Sequence, residues 1–291
     1  MSKVAVFGSF VVDLMARSPH LPVPGETVKG SMFKMGPGGK GFNQCVAAHK
    51  AGADVIMMTK LGRDSFANVA LDTMTELGMD KDHIFFSDDK ETGIALILVD
   101  ENTSQNEIII VPGACNTITK EEIESIESVI KESEYVLLQL EVNQDANEMV
   151  VDMANRYGCK VIVNTAPYSA ITDEFLCKVY MVTPNEVEAE YYTGIPVCSG
   201  ESAEEAAQWF HRRGVRHVII TMGDSGAYLS VNGAGQMVPP FCVTAVDTTG
   251  AGDALNGGLL AALSEGKDLT QAVVFARAAA ALSGGRVGAA P

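Results

Sequence analysis

Short runs of β-branched and apolar residues alternate with longer helical patterns along most of this chain, and that alternation limits the fold more than any other property. Strand-like runs fall at 4–7, 55–59, 136–140, 160–164, 180–182 and 217–221, and helical patterns at 42–51, 64–77, 146–157, 203–213, 253–264 and 269–283. Parallel strands need long crossover connections, usually helical, so the rhythm predicts an α/β fold with a mostly parallel sheet covered by helices on both faces. Ligands of such sheets bind beyond the carboxyl ends of the strands, which makes the residues just after each strand the ones to inspect. With 291 residues, 47% of them hydrophobic, the chain can bury a large core. No linker or low-complexity tract divides it, so 1–291 reads as a single domain.

Two segments break the rhythm. Residues 14–35 are rich in Pro and Gly and show no helical pattern, while 93–111 read as a hairpin, 93–99 and 107–111 around a polar loop at 100–106. Together they predict a small β-layer standing off the main sheet as a lid, because a site cover comes from additions of this kind. Plain edge strands are the bland alternative.

The chemistry concentrates in Val246-Asp247-Thr248-Thr249-Gly250-Ala251-Gly252-Asp253-Ala254, followed by the helical run 255–263. Gly250 and Gly252 carry no side chain to keep an anion from the backbone, so consecutive N–H groups can converge on one point. The helix start adds its partial positive charge there. Asp253 then stands beside a site suited to phosphate, and a base next to a held phosphate suggests phosphoryl transfer to a hydroxyl. The helix start is expected to keep Asp253 ionised. Aspartate is also favoured in the first turn of any helix, so the segment alone leaves a structural role open.

A second glycine-dense segment, Gly36-Pro37-Gly38-Gly39-Lys40-Gly41-Phe42-Asn43, leads into a helix. Its glycines match G-x-G-x-x-G, but no buried strand precedes them and no acid follows about twenty positions on, which argues against a dinucleotide site. Gly39-Lys40 lacks the earlier Gly and following Ser or Thr of a P-loop. What remains is a turn displaying Lys40 and Asn43 with exposed backbone amides, suited to a polyhydroxylated ligand. Asp13 follows the first strand and Glu141 the strand 136–140, where carboxylates can accept hydrogen bonds from sugar hydroxyls or simply hold turns. Asn185, after the strand at 180–182, opens a helix as an N-cap. Thr221-Met222-Gly223-Asp224-Ser225-Gly226 is a strand end and small-residue turn that fits a nucleotide phosphate or plain loop chemistry.

Composition excludes several classes. A net charge of −16 argues against nucleic acid or an anionic membrane as partner, and no apolar run reaches the roughly 18 residues of a membrane span. Six scattered cysteines without a C-x-x-C pair predict buried, reduced thiols. The start, Met1-Ser2-Lys3 and then a strand, lacks a signal peptide's apolar run, so a cytoplasmic protein is expected.

Taken in order, Pro24-Gly25-Glu26-Thr27, Gly38-Gly39-Lys40-Gly41-x-Asn43-Gln44, Gln139-Leu140-Glu141, Thr183-Pro184-Asn185-Glu186-x-Glu188-Ala189-Glu190 and Asp247-Thr248-Thr249-Gly250-Ala251-Gly252-Asp253 resemble the PfkB family of sugar kinases, most closely its ribokinase branch, from Val4 to Gly288. The resemblance implies a ribokinase-like three-layer sandwich with a β-sheet lid, and ATP-dependent phosphorylation of a sugar's primary hydroxyl. It casts Asp253 as base and Gly250, Ala251 and Gly252 as an anion hole. Asp13, Gly39, Lys40, Gly41, Asn43 and Glu141 match sugar contacts. Asn185, Thr221, Gly223 and Gly226, with Gly252, match nucleotide contacts, and Glu188 a group that holds Mg²⁺ through water. Asp247 and Thr249, with carbonyls near Gly284 and Gly288, match a loop for a monovalent cation such as K⁺. A lid that pairs with a second lid implies a homodimer.

The departures bear on the substrate. Where ribokinases typically carry Asn two residues before the aspartate matching Asp13, this chain has Val11. Valine cannot pair with a ribose secondary hydroxyl, and a desolvated hydroxyl without a partner costs about 1–3 kcal/mol. An apolar residue resembles the deoxyribokinase variant, so 2-deoxyribose fits better than ribose. Asn164-Thr165-Ala166-Pro167 replaces the usual Asn-Pro-Ala-Pro, with a small effect expected, and the chain ends at Pro291 where relatives usually continue. A kinase of another sugar, nucleoside or sugar acid is the rival within the family. A sensor that binds without turnover is the rival outside it, and it would have no need of Asp253.

Overall fold

The computed structural model describes residues 1–103, 105–241 and 250–284. Its strands are β1 (Val4–Phe7), β2 (Val11–Ser18), β3 (Met32–Gly38), β4 (Val55–Gly62), β5 (Ile84–Ser87), β6 (Thr92–Asp100), β7 (Asn106–Gly113), β8 (Tyr135–Leu138), β9 (Lys160–Val163), β10 (Met181–Val182), β11 (His217–Thr221), β12 (Ala227–Val231) and β13 (Ala234–Val238). The helices are α1 (Lys40–Lys50), α2 (Ala67–Leu77), α3 (Lys120–Ser125), α4 (Glu127–Glu132), α5 (Gln144–Tyr157), α6 (Asp173–Leu176), α7 (Glu186–Thr193), α8 (Gly200–His211), α9 (Ala251–Ser264) and α10 (Leu269–Gly284).

The main sheet has nine strands in the order β13-β12-β11-β10-β9-β8-β1-β4-β5, with helices packed on it. All pairings from β5 to β11 are parallel, and every residue of β1 and β8 is buried. Burial on both faces is why these strands read as unbroken apolar runs rather than alternating ones. From β1 the chain builds outward to β4 and β5 on one side, then returns to β8 and builds outward on the other. The point where the order reverses lies between β1 and β8, and there the carboxyl ends of neighbouring strands open a crevice.

The expected layer is present as a second sheet, β3-β2-β6-β7. Residues 14–35 hold no helix; they supply most of β2 and the start of β3, and the predicted hairpin is β6 and β7. The β2–β6 pairing within it is parallel.

The antiparallel edge β12–β13 is absent from the sequence reading. The signal was there: Asn232-Gly233 joins the two strands, with φ of 51° and 87°, the positive pair that a two-residue hairpin turn demands. The cysteine expectation holds for Cys45, Cys115 and Cys159, which are buried, and fails for Cys177 and Cys198, which are exposed.

Two helices carry the site and they are locked to one another. A Cβ on Gly257 of α9 would lie 2.5 Å from the Gln44 carbonyl and 2.7 Å from the Ala48 nitrogen of α1, so α1 and α9 touch backbone to backbone. Gly258 does the same work toward Ala276 and Ala279 of α10. Phe42 on α1 meets Phe10, after β1, edge to face at 5.0 Å, both fully buried. Burial of one such ring contributes about 1.5–3 kcal/mol.

Candidate active site

The crevice between β1 and β8 is filled by the start of α1. Gly39 enters it at φ 88°, and Gly41 lies so close to the preceding loop that a Cβ would come within 2.6 Å of the Gly8 carbonyl carbon and the Ser9 nitrogen. The helix begins at Lys40, two residues earlier than expected. Glu141 accepts from the Lys40 amide at 2.8 Å and from the Ser9 hydroxyl, an acid on a helix start. Gly41 donates to Ser9 Oγ at 3.4 Å, Phe42 to the Ser9 carbonyl at 2.9 Å and Asn43 to Gly39 at 2.9 Å. The expectation of exposed amides here is therefore wrong, since the loop spends them on its own structure. Left over are the Lys40 ammonium, which makes no ion pair among the described residues, and Glu141 Oε1, since Oε2 takes both of those bonds.

Asp253 sits in the first turn of α9, 8% exposed. That helix starts at Ala251, two residues before the sequence expectation, with Gly250 as its left-handed N-cap at φ 78°. Asn43 donates to Asp253 Oδ2 at 3.1 Å and Gln44 to Oδ1 at 2.9 Å. Burial drives the Asp253 carboxyl upward, against the pull of Lys40, Gln44 and Asn43 and with a push from Glu141. The helix start does not hold it at an ordinary value, because removing the carboxylate from water outweighs the partial charge. Beside it, a side chain begun at Gly252 would meet nothing within 4 Å among the described residues. Gly252 thus lies on the exposed side of the first turn of α9, and a helix start favours an anion.

The small sheet brings Asp13 over this floor. Its carboxylate lies against Gly38, where a Cβ would overlap it. Burial raises its pKa to about 6, with Glu141 and Asp253 adding and Lys34 subtracting. Val11, two residues away on the same face of β2, is 5% exposed and packs on Gly93, whose Cβ would lie 2.9 Å from Val11 Cγ1.

Beyond Asp253, β10 and β11 present a second group. Asn185 and Thr221 form an isolated parallel bridge, and Thr221 donates to the Pro184 carbonyl at 2.9 Å. Gly223 and Gly226, with φ of 45° and 108°, flank a single 3-10 turn. Asn185 caps α7, and its backbone and side-chain nitrogens both donate to Glu188, at 3.1 and 3.0 Å. Glu188 is raised by burial and lowered by Asn185, Lys40 and Thr165. The charge of Lys40 thus acts on both Asp253 and Glu188, which joins the two halves of the site.

The structure gathers Val11, Asp13, Gly39, Lys40, Gly41, Asn43, Glu141, Gly250, Ala251, Gly252 and Asp253 around one floor, with Asn185, Glu188, Thr221, Gly223 and Gly226 alongside. Gly284 is the buried last residue of α10, while Asp247, Thr249 and Gly288 lie outside the described residues. Sequence reasoning missed the polar chain beneath this floor. Gln44, Gln139, Asn164, Thr183 and Asn256 are at most 7% exposed and bonded in series, ending on the Gly252 carbonyl. It also missed Arg277, which lies beside Gly226 with Nε buried and without a hydrogen-bond partner among the described residues. A charged residue in an otherwise apolar helix was the signal for Arg277; the buried amides carried none.

A helix start, a buried carboxylate in its first turn and a small sheet bearing a second carboxylate nearby form a phosphotransferase-like site on an α/β sandwich. The profile of the pfkB family carbohydrate kinases matches residues 1–291. Ribokinase from Haemophilus influenzae is 37% identical over 286 residues, 98% of this chain and 93% of that protein. Deoxyribokinase from Salmonella typhi is 36% identical over 255 residues, 87% of this chain and 83% of that protein. The structure of Arabidopsis thaliana ribokinase complexed with ribose and ATP superposes with a TM-score of 0.92 at 28% identity, covering 100% of this chain and 95% of that one. The chain belongs to the pfkB family of carbohydrate kinases. It is an enzyme, a sugar kinase whose acceptor is an alcohol group.

Proposed function

We propose that this protein transfers the γ-phosphoryl group of ATP to the 5-hydroxyl of a pentose, with 2-deoxyribose preferred over ribose. The observation that carries this reading is the buried Asp253, tied down by Asn43 and Gln44 beside the open space over Gly252. Asp253 takes the proton of the attacking hydroxyl as that oxygen bonds to phosphorus. The amides of Gly250, Ala251 and Gly252 neutralise charge spreading over the phosphoryl oxygens. Lys40, lying between Asp253 and Glu188, adds a positive charge on the same side. Asp13 and the free oxygen of Glu141 accept from secondary hydroxyls, with Gly39, Gly41 and Asn43 shaping the floor. Asn185, Thr221, Gly223 and Gly226 line the nucleotide's place.

The donor set fits Mg²⁺ held through water at Glu188, a half-buried acid whose oxygens already accept from Asn185. Bound Mg²⁺ supplies charge neutralisation on the phosphates. We assign a monovalent cation such as K⁺ to Asp247 and Thr249 with carbonyls near Gly284 and Gly288. The exposed apolar row of the small sheet supports a homodimer, and the compartment we assign is the cytoplasm.

The two enzyme names among the relatives stand at nearly equal identity, so the substrate turns on the pocket. Val11 offers a sugar no donor. Replacing it by Asn restores one, and sugar-dependent ADP release in Val11→Asn should shift the kcat/KM ratio about tenfold toward ribose, the range one hydrogen bond spans. An unchanged ratio contradicts the assignment of Val11.

A further inference from the structure

One of the two donors that hold Asp253 lies wholly beneath the site. Gln44 is fully buried, and its Nε2 donates to Asp253 Oδ1 at 2.9 Å and to Asn164 Oδ1 at 2.9 Å. Its Oε1 accepts from Gln139 Nε2 at 2.7 Å. The Gln44 amide therefore uses both ends, and only one orientation works. Turned over, it would set Oε1 against the Asp253 carboxylate and against Asn164 Oδ1, and its NH₂ against that of Gln139. Gln139 is itself fully buried; its backbone carbonyl accepts from Asn147 Nδ2 at 2.9 Å, and its side-chain Oε1 packs against Gly8 without a hydrogen-bond partner among the described residues.

We propose that Gln44 is the positioning residue for Asp253, and that Gln139 sets the Gln44 amide so that it presents a donor rather than an acceptor to the base. The proposal rests on the kinase reading for its rate effects, but its geometry stands on the hydrogen bonds alone. A buried carboxylate with one donor removed rotates more freely and holds its charge less well. Gln139 makes no hydrogen bond to Asp253 among the described residues, and its link to the base runs through Gln44.

The test uses Gln44→Met and Gln139→Met, similar in length and without the amide, together with the double variant. Titration of the Asp253 carboxylate, isolated by difference infrared spectroscopy against Asp253→Asn, should move to higher pH in each single variant. Turnover at neutral pH should fall about 10- to 100-fold while the sugar KM changes less than about threefold, as when an orienting partner is lost. The double variant should lose no more than Gln44→Met alone, since both act on one link. An unmoved titration, or losses that simply multiply in the double variant, would overturn the proposal. Should Gln44→Met not fold, Gln139→Met alone still decides it through the same titration. Absence of sugar-dependent turnover in the unaltered protein would sink the kinase reading, while the titration would still judge Gln44.

Discussion

Three carboxylates, Asp13, Glu141 and Asp253, share one half-buried space with Lys40 as their neighbour, and the repulsion among them is a cost the fold carries for its chemistry. Asp13 shows it most simply. Its unfolded value lies near 3.8 and its folded value near 6, because burial, Glu141 and Asp253 all disfavour the anion. Between those values the folded protein binds the extra proton, so stability falls as pH rises through this window and the full cost applies above it. Asp13→Asn should therefore raise stability at pH 7.5 by about 1–3 kcal/mol, read as a higher midpoint in denaturant, with the gain gone by about pH 4 and sugar binding weakened. A variant less stable than its parent at pH 7.5 would show that Asp13 has a compensating partner. The acids themselves were picked out in the sequence, Glu141 after a strand and Asp253 at a helix start, while Asp13, expected just past β1, lies instead within β2 of the small sheet. Gln44 and Gln139 were not, because nothing local distinguishes an amide that orients a base from one that fills a helix.

The long elements were legible for a physical reason. Strands buried on both faces, such as β1 and β8, are unbroken apolar runs, and the longer helices repeat their apolar residues at helical spacing. Some short elements failed: β13 is exposed at four of its five residues and so shows no apolar run, and the six-residue α3 and α4 offer too few turns to show a period. Helix starts were misplaced for a related reason. Gly39 and Gly250 adopt positive φ just before α1 and α9, and the helices begin at once on Lys40 and Ala251. The contact of those two helices sets Asn43 and Gln44 against Asp253, and Gly257 makes it possible. Gly257→Ala forces a methyl into the α1 backbone, so it should cost about 1–3 kcal/mol, measured as a lower unfolding midpoint, and reduce turnover with it. A variant of unchanged stability would mean that α1 and α9 separate easily and that their contact does not set the site.

The molecule as a whole pairs a large buried sheet with a small sheet that leaves much apolar surface uncovered. Leu14, Met35, Leu96 and Ile109 stand in one row across its four strands, and Met35, Leu96 and Ile109 are 49, 41 and 63% exposed. A contiguous exposed apolar face marks an interaction surface, and the homodimer we propose covers it. Ile109→Lys should then halve the mass measured by light scattering while leaving the main fold intact; a parent protein that is monomeric at micromolar concentration would contradict the pairing. None of the described helices is long and apolar enough to cross a membrane. The central claim, a sugar kinase whose base is Asp253, is tested most directly by ADP release from ATP with Mg²⁺ and K⁺ present, 2-deoxyribose and ribose supplied separately, and Asp253→Asn measured alongside. Turnover is expected with both sugars, faster with 2-deoxyribose, with a loss of about 10²–10⁴-fold in the variant and sugar KM little changed. Turnover in Asp253→Asn equal to the parent's would contradict it.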